Sequence, residues 1–128
     1  MKKTICILTA TRAEYGLLKP IIAKLNMLDD FDVCIAATGA HLSPEFGLTY
    51  EEIEKDGFRI DEKIDILLSS DTPSSISKSM GLAMIGFADY FKRRSPDLLI
   101  VLGDRYETLA VAMAAVNQRI PIAHLYGG

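Results

Sequence analysis

Short apolar runs alternate with helical patterns along this chain, and that alternation limits the possible folds more than any other feature. The runs at 4–8, 33–37, 98–102 and 122–125 are largely apolar along their whole length. Such runs are typical of strands that are covered on both faces. Strands that alternate with helices form right-handed βαβ units. The sequence therefore predicts an α/β fold, with a parallel sheet and helices on both faces.

The segments between these runs contain recognisable helix boundaries. Apolar residues recur at helical spacing from Leu17 to Leu28, and Pro20 is tolerated best in a first turn, which predicts a helix that starts near Tyr15 to Leu17. Thr49 and Glu52 have the spacing of a capping box and predict a short helix that ends before Gly57.

The middle of the chain adds an edge strand and a long helix. Residues 58–66 alternate apolar with charged positions, which predicts an edge strand with one solvated face. Residues 69–75 form a polar loop, and a long helix is predicted from Ile76 to the basic run Lys92-Arg93-Arg94.

Composition excludes several classes of protein. A net charge of −3 over 128 residues does not favour nucleic acid or an anionic membrane as a partner. No apolar run approaches the ~20 residues of a membrane span. Cys6 and Cys34 lie inside apolar runs and are predicted to be free thiols in the cytoplasm. The sequence stops where a loop should follow the run at 122–125, so we expect it to be part of a longer protein.

The pentapeptide at 103–107, Gly-Asp-Arg-Tyr-Glu, carries the first candidate for chemistry. It joins an apolar run to a helix, and ligands of parallel α/β sheets bind beyond the carboxyl ends of the strands. Asp104 is a candidate acid or base, with Arg105 beside it. The alternative is structural: Asp104 and Glu107 also have the spacing of a helix cap.

The first strand–helix turn is the second candidate region. It lacks the glycine fingerprint of dinucleotide sites, but Arg12 offers a planar fork of donors suited to a pyrophosphate. The alternative is a surface arginine that pairs with Glu14 or another acidic neighbour. His41 and His124 follow or end predicted strands, and each is either a ligand-side histidine or a buried structural one. No third ligand lies at metal spacing, so no metal site is predicted.

A further pair of candidates lies near the start of the long predicted helix. Ser77 and Lys78 either contact a phosphate or sugar hydroxyls there, or belong to a solvated helix face.

Four motifs occur in one order, each at the end of a predicted strand. They are TATRAEYG at 9–16, TGAHLSPEFG at 38–47, GDRYE at 103–107 and HLYGG at 124–128. Together they resemble the hydrolysing UDP-N-acetylglucosamine 2-epimerases of sialic and legionaminic acid biosynthesis, from Met1 to Gly128.

The resemblance implies the N-terminal lobe, residues 1–128, of a fold with two Rossmann-like lobes of glycosyltransferase-B type, each an α/β lobe built on a Rossmann-like parallel sheet with helices on both faces. The C-terminal lobe, which holds most of the nucleotide, lies outside this chain, so the fragment alone is expected to be inactive. The implied reaction removes the C2 proton and UDP from a UDP-HexNAc to give a glycal, which water converts to the free 2-epimer. It needs no redox cofactor, and relatives are often homo-oligomers.

The resemblance also assigns roles to residues. Asp104 and Arg105 are expected to be catalytic. The expected substrate-binding residues are Arg12, Ala13, His41, Ser77, Lys78 and His124.

The chain departs from the family pattern at one catalytic position. Many relatives carry a glutamate where this chain has Tyr126, and a branch places that glutamate after Gly-Gly, beyond Gly128 here. Non-hydrolysing relatives carry a lysine where this chain has Leu17, which favours the hydrolysing branch. The alternatives are a non-hydrolysing epimerase, a glycosyltransferase of the same fold and a non-catalytic nucleotide-binding module.

Overall fold

The computed structural model describes residues 2–66 and 72–126. The strands are β1 (Lys3–Thr9), β2 (Phe31–Thr38), β3 (Ile60–Ile64), β4 (Leu98–Leu102) and β5 (Ile122–Leu125). The helices are α1 (Arg12–Asn26), α2 (Tyr50–Lys55), α3 (Pro73–Arg94) and α4 (Tyr106–Asn117), with two short 3₁₀ segments at Gly39–Leu42 and Pro44–Phe46 between β2 and α2.

The five strands form one parallel sheet in the order β3-β2-β1-β4-β5. Side chains of β1 alternate between two cores. Ile5 and Ile7 pack against α1 and α2 on one face, whereas Cys6 and Leu8 pack against α3 and α4 on the other. Because both faces are covered, the strands need continuous apolar runs, and the predicted α/β class with helices on both faces is confirmed.

Helix α1 begins earlier than the position of Pro20 predicted. It starts at Arg12, with Thr11 as N-cap, and Pro20 lies inside it. The carbonyl of Gly16, four residues before Pro20, loses its helical donor there. Gly16 and Pro20 are both exposed, so water can hydrate that carbonyl, and the capping box of Thr11 and Glu14 fixes the start of the helix.

Helix α2 is present, but the capping box predicted for it is wrong. Thr49 stands at the N-cap without a side-chain capping bond. Its hydroxyl instead contacts His41, and Glu52 instead pairs with Arg12. Both side chains are taken by partners distant in sequence.

The other predicted elements agree with the structure to within a few residues. β3 is an edge strand, and α3 ends with the basic run as expected. Of the predicted polar loop 69–75, residues 69–71 lie outside the described residues, and 73–75 belong to α3 because Thr72 caps the helix and Pro73 occupies its first turn. None of the described helices is long and apolar enough to cross a membrane.

Both cysteines are free and buried, as predicted. They are register partners in β1 and β2. Burial raises the pKa of Cys6 to about 12, so its thiol stays protonated and inert near neutral pH.

Candidate functional site

The loops after β1, β2 and β4 and the end of β5 lie at one edge of the sheet, where the strands end. β1 lies between β2 and β4, and all three run parallel. Arg12 is the first residue of α1 after β1, and Asp104 and Arg105 lie between β4 and α4. The first turn and the Asp104 loop therefore occupy neighbouring positions on the same edge, which is where ligands of such sheets bind.

Asp104 is exposed and does not cap α4. The N-cap residue of α4 is Arg105, and within the described part of the chain no side chain accepts a capping hydrogen bond there. Among residues 2–66 and 72–126, Asp104 has no hydrogen bond or ion pair. The capping interpretation of Asp104 is therefore wrong, and its carboxylate is available at the edge of the sheet.

Arg105 is held by Glu107 and not by Asp104. Its Nε donates to Glu107 Oε1 at 2.6 Å, and the Glu107 side chain is only 2% exposed. This hydrogen bond raises the pKa of Arg105 above its ordinary value. The second carboxylate oxygen, Oε2, is buried and has no partner among the described residues. The buried Glu107 side chain thus holds the exposed Arg105 against the first turn of α4.

Glu14 is a second buried carboxylate at this edge, and the sequence analysis did not select it. Its Oε1 accepts the backbone N–H groups of Ala10 and Thr11 at 2.9 and 3.2 Å. Burial raises the pKa of Glu14, those backbone donors oppose the change, and the negative charge of Glu107 adds to it. The spacing from Thr11 to Glu14 was the signal that could have found it.

Arg12, at the start of α1, pairs with Glu52 of α2. Its Nε lies 3.1 Å from both carboxylate oxygens of Glu52, and its side chain is 71% exposed. Ala13, the next residue of α1, is also exposed. No described contact joins Arg12 to Asp104, so the two groups share the edge without touching.

His41 is a fully buried histidine behind this edge. Its Nε2 lies 2.8 Å from Thr9 Oγ1 and its Nδ1 lies 2.9 Å from Thr49 Oγ1. Burial lowers the pKa of His41 to about 4, so the ring is neutral at pH 7. Through these two contacts His41 joins β1 to the segment before α2.

His124 and the pair Ser77 and Lys78 lie at different places. His124 Nε2 donates to the carbonyl oxygen of Gly103 at 2.6 Å, which links the end of β5 to the Asp104 loop. Ser77 and Lys78 are exposed in the second turn of α3. Within the described chain they have no hydrogen bond or ion pair to the other candidates. Tyr126 is exposed, and Gly127 and Gly128 lie outside the described residues.

Comparison with known proteins identifies the family and the proteins that this chain is similar to. The family model described as UDP-N-acetylglucosamine 2-epimerase matches residues 23–128. Over 99% of the chain, 51% of residues are identical to a GDP/UDP-N,N'-diacetylbacillosamine 2-epimerase (hydrolyzing) from Campylobacter jejuni. Over all of it, 40% are identical to a UDP-N,N'-diacetylbacillosamine 2-epimerase (hydrolyzing) from Legionella pneumophila.

Solved structures agree on the fold. A UDP-N-acetylglucosamine 2-epimerase matches with a TM-score of 0.83 at 21% identity, covering 97% of this chain and 33% of that one. The Methanocaldococcus jannaschii UDP-GlcNAc 2-epimerase in complex with UDP-GlcNAc and UDP matches with a TM-score of 0.78 at 26% identity, covering 94% and 32%. The chain spans about a third of the length of the two curated relatives. With most of its length matched by the family model, this chain belongs to the UDP-N-acetylglucosamine 2-epimerase family.

Proposed function

We propose that this chain is the N-terminal lobe of a longer, hydrolysing 2-epimerase that converts a UDP-HexNAc to the free 2-epimeric sugar and UDP. The observation that carries the proposal is the shared sheet edge of Arg12, Asp104 and Arg105, in a chain 51% and 40% identical to two relatives named as hydrolysing 2-epimerases. The second lobe completes the cleft, so residues 1–128 alone are expected to lack activity.

In the proposed reaction, a base removes the proton from C2 and the C1–O bond to the diphosphate breaks. The electron pair of the C2–H bond forms the C1–C2 double bond of a glycal, and UDP leaves with the electrons of the C1–O bond. Water then adds its oxygen to C1, and a proton returns to C2 from the opposite face. Asp104 is proposed as an acid or base because its carboxylate is free and exposed at the edge of the sheet.

Arg12 and Arg105 are proposed to bind the diphosphate, because a guanidinium pairs well with phosphate oxygens and stays charged at any working pH. Ala13 and His124 remain proposed neighbours of the substrate, as do Ser77 and Lys78 at the start of α3. His41 is proposed to support the substrate site indirectly, by holding Thr9 and Thr49 in place.

The substrate is proposed to be a 2,4-diacetamido UDP-sugar in preference to UDP-N-acetylglucosamine. The relative at 51% identity is named for GDP/UDP-N,N'-diacetylbacillosamine and the one at 40% for UDP-N,N'-diacetylbacillosamine, whereas a relative at 31% from Neisseria meningitidis is named for UDP-N-acetylglucosamine. Comparing kcat/KM for the two sugars tests this choice directly, and a higher value for UDP-N-acetylglucosamine would contradict it.

The decisive assay follows UDP release by the full-length protein without any acceptor, in D₂O. A hydrolysing epimerase releases UDP and places deuterium at C2 of the product. A non-hydrolysing epimerase exchanges the C2 proton but keeps the sugar on UDP. A glycosyltransferase waits for an acceptor, and a binding module releases nothing. Turnover by residues 1–128 alone would contradict the proposed division into two lobes.

A homo-oligomer is proposed as well, with a second copy on the outward face of α3 and α4. This face carries exposed apolar side chains on two neighbouring helices, namely Leu82, Ile85, Leu109, Met113 and Val116. On α4 they follow the spacing i, i+4, i+7, opposite the side that packs on the sheet.

The cytoplasm is the proposed compartment, since both cysteines are free thiols.

A further inference from the structure

Two arginines at the loop edge are held in the same way. The Nε of Arg12 faces the carboxylate of Glu52 at 3.1 Å, and the Nε of Arg105 donates to Glu107 at 2.6 Å. In neither case do the two terminal nitrogens have a hydrogen-bond or ion-pair partner among the described residues. Each guanidinium is therefore fixed through one nitrogen and keeps its outer pair of donors free.

This mode of contact has a consequence for what the arginines can bind. A guanidinium is planar and rigid, so an acceptor at Nε occupies one side of the group and leaves open the end that carries the two terminal amino groups. Those groups form the fork that engages two oxygens of a phosphate at once. A carboxylate that took the fork itself would instead have blocked it.

The position of both arginines also suits an anion. Arg12 is the first residue of α1 and Arg105 is the N-cap of α4, on neighbouring parallel strands β1 and β4. Helix N-termini favour negative charge, and no side chain of residues 2–66 or 72–126 caps the first N–H groups of α4. The two forks and the free end of α4 therefore lie along one edge of the sheet.

We propose that Glu107 and Glu52 are positioning residues, which brace Arg105 and Arg12 so that their forks receive the diphosphate of the UDP-sugar. This inference rests on the proposed function. Glu107 is the rigid brace, because its side chain is 2% exposed and its hydrogen bond is short. Glu52 is the looser one, since 42% of its side chain and 71% of that of Arg12 are exposed. Bracing lowers the ordering cost that a long side chain otherwise incurs on binding.

Bracing and simple charge repulsion predict opposite changes in UDP affinity when the carboxylate is neutralised. Neutralising a carboxylate near an anion site should tighten binding of the anion if charge alone matters. If the carboxylate braces an arginine, neutralising it should weaken binding. We expect Glu107→Gln to lower the affinity of the full-length protein for UDP about 10-fold, and Glu52→Gln to lower it about 2-fold.

The test is a double-mutant cycle measured by calorimetric titration with UDP. Glu107→Gln is made in the unsubstituted protein and in Arg105→Ala, and a brace that acts through Arg105 costs nothing further in the second background. Arg105→Lys is a second probe, since lysine keeps the charge but has no Nε to hold, and it is expected to bind UDP as weakly as Arg105→Ala. Glu54→Gln is the control, because Glu54 lies on α2 beside Lys63 and away from both arginines.

Each outcome has one interpretation. Unchanged or tighter UDP binding by Glu107→Gln would overturn the bracing role, as would an equal loss with and without Arg105 or full binding by Arg105→Lys. If the unsubstituted protein releases UDP from its substrate but the variants give any of these three results, only the bracing role fails. If it neither binds nor releases UDP, the proposed function fails first, and the arginines then have no diphosphate to receive.

Discussion

Replacing Asp104 by asparagine separates a chemical role from a structural one. Replacing an aspartate that caps a helix lowers the free energy of unfolding by about 0.5–2 kcal/mol. Asp104, however, accepts no capping bond and is exposed. We therefore expect Asp104→Asn to change the free energy of unfolding by less than about 0.5 kcal/mol. If Asp104 is an acid or base, the same change should lower kcat about 100-fold or more.

The assay measures UDP release and urea unfolding on the same preparations of full-length protein. Asp97→Ala is the matched control, because Asp97 Oδ2 accepts the backbone N–H of Thr4 at 2.8 Å where β1 and β4 begin, at the opposite edge of the sheet. Its loss should cost about 1 kcal/mol of stability and leave kcat unchanged. A destabilised Asp104→Asn with normal turnover would refute the reasoning and restore the capping role.

Three further predictions concern the pH dependence, the packing and the assembly. Burial lowers the pKa of His41 from 6.5 to about 4. As the pH falls, His41 is therefore protonated in the unfolded chain at a higher pH than in the folded one. Stability that is fully present above about pH 6.5 should fall by on the order of 3 kcal/mol towards pH 4, and His41→Asn should flatten that part of the curve in urea unfolding. Gly86→Ala places a Cβ 2.6 Å from Ile64 and should cost about 1–3 kcal/mol in thermal unfolding. Gly81→Ala on the same helix meets nothing within 4 Å and should stabilise by about 0.5–1 kcal/mol. Met113→Lys should lower the mass of the full-length assembly measured by light scattering, and an unchanged mass would contradict the proposed interface.

The fold was predictable because its strands are covered on both faces. Residues 5–8 and 98–102 are apolar throughout, as a short strand buried on both faces requires, whereas a half-exposed edge strand alternates apolar with polar residues. The parallel order then follows from handed βαβ connections. The start of α1 was not predictable from Pro20, because an exposed carbonyl at Gly16 makes a proline in the third turn tolerable. Thr11 and Glu14 carried the stronger signal.

The candidate site was predictable in its loops but not in its pairings. Strand ends locate Arg12, Asp104 and Arg105 without any contact being known. The partner of Arg12 is Glu52, 40 residues along the chain, and only the sheet order brings the first turn against α2. An acidic partner for Arg12 was an open alternative, but local spacing assigned Glu52 to a cap of its own helix and so did not identify it as that partner.

The failed capping box at α2 is informative for the same reason. Thr49 and Glu52 satisfy the local rule, yet the structure directs one to His41 and the other to Arg12. A capping box is worth about 1 kcal/mol to a helix, so giving it up has to be offset elsewhere. The offset is a satisfied buried imidazole on one side and an oriented guanidinium on the other. Places where a sequence obeys a local rule that the fold then ignores tend to be sites under a second demand, and here both diverted side chains lead to the edge that carries Asp104.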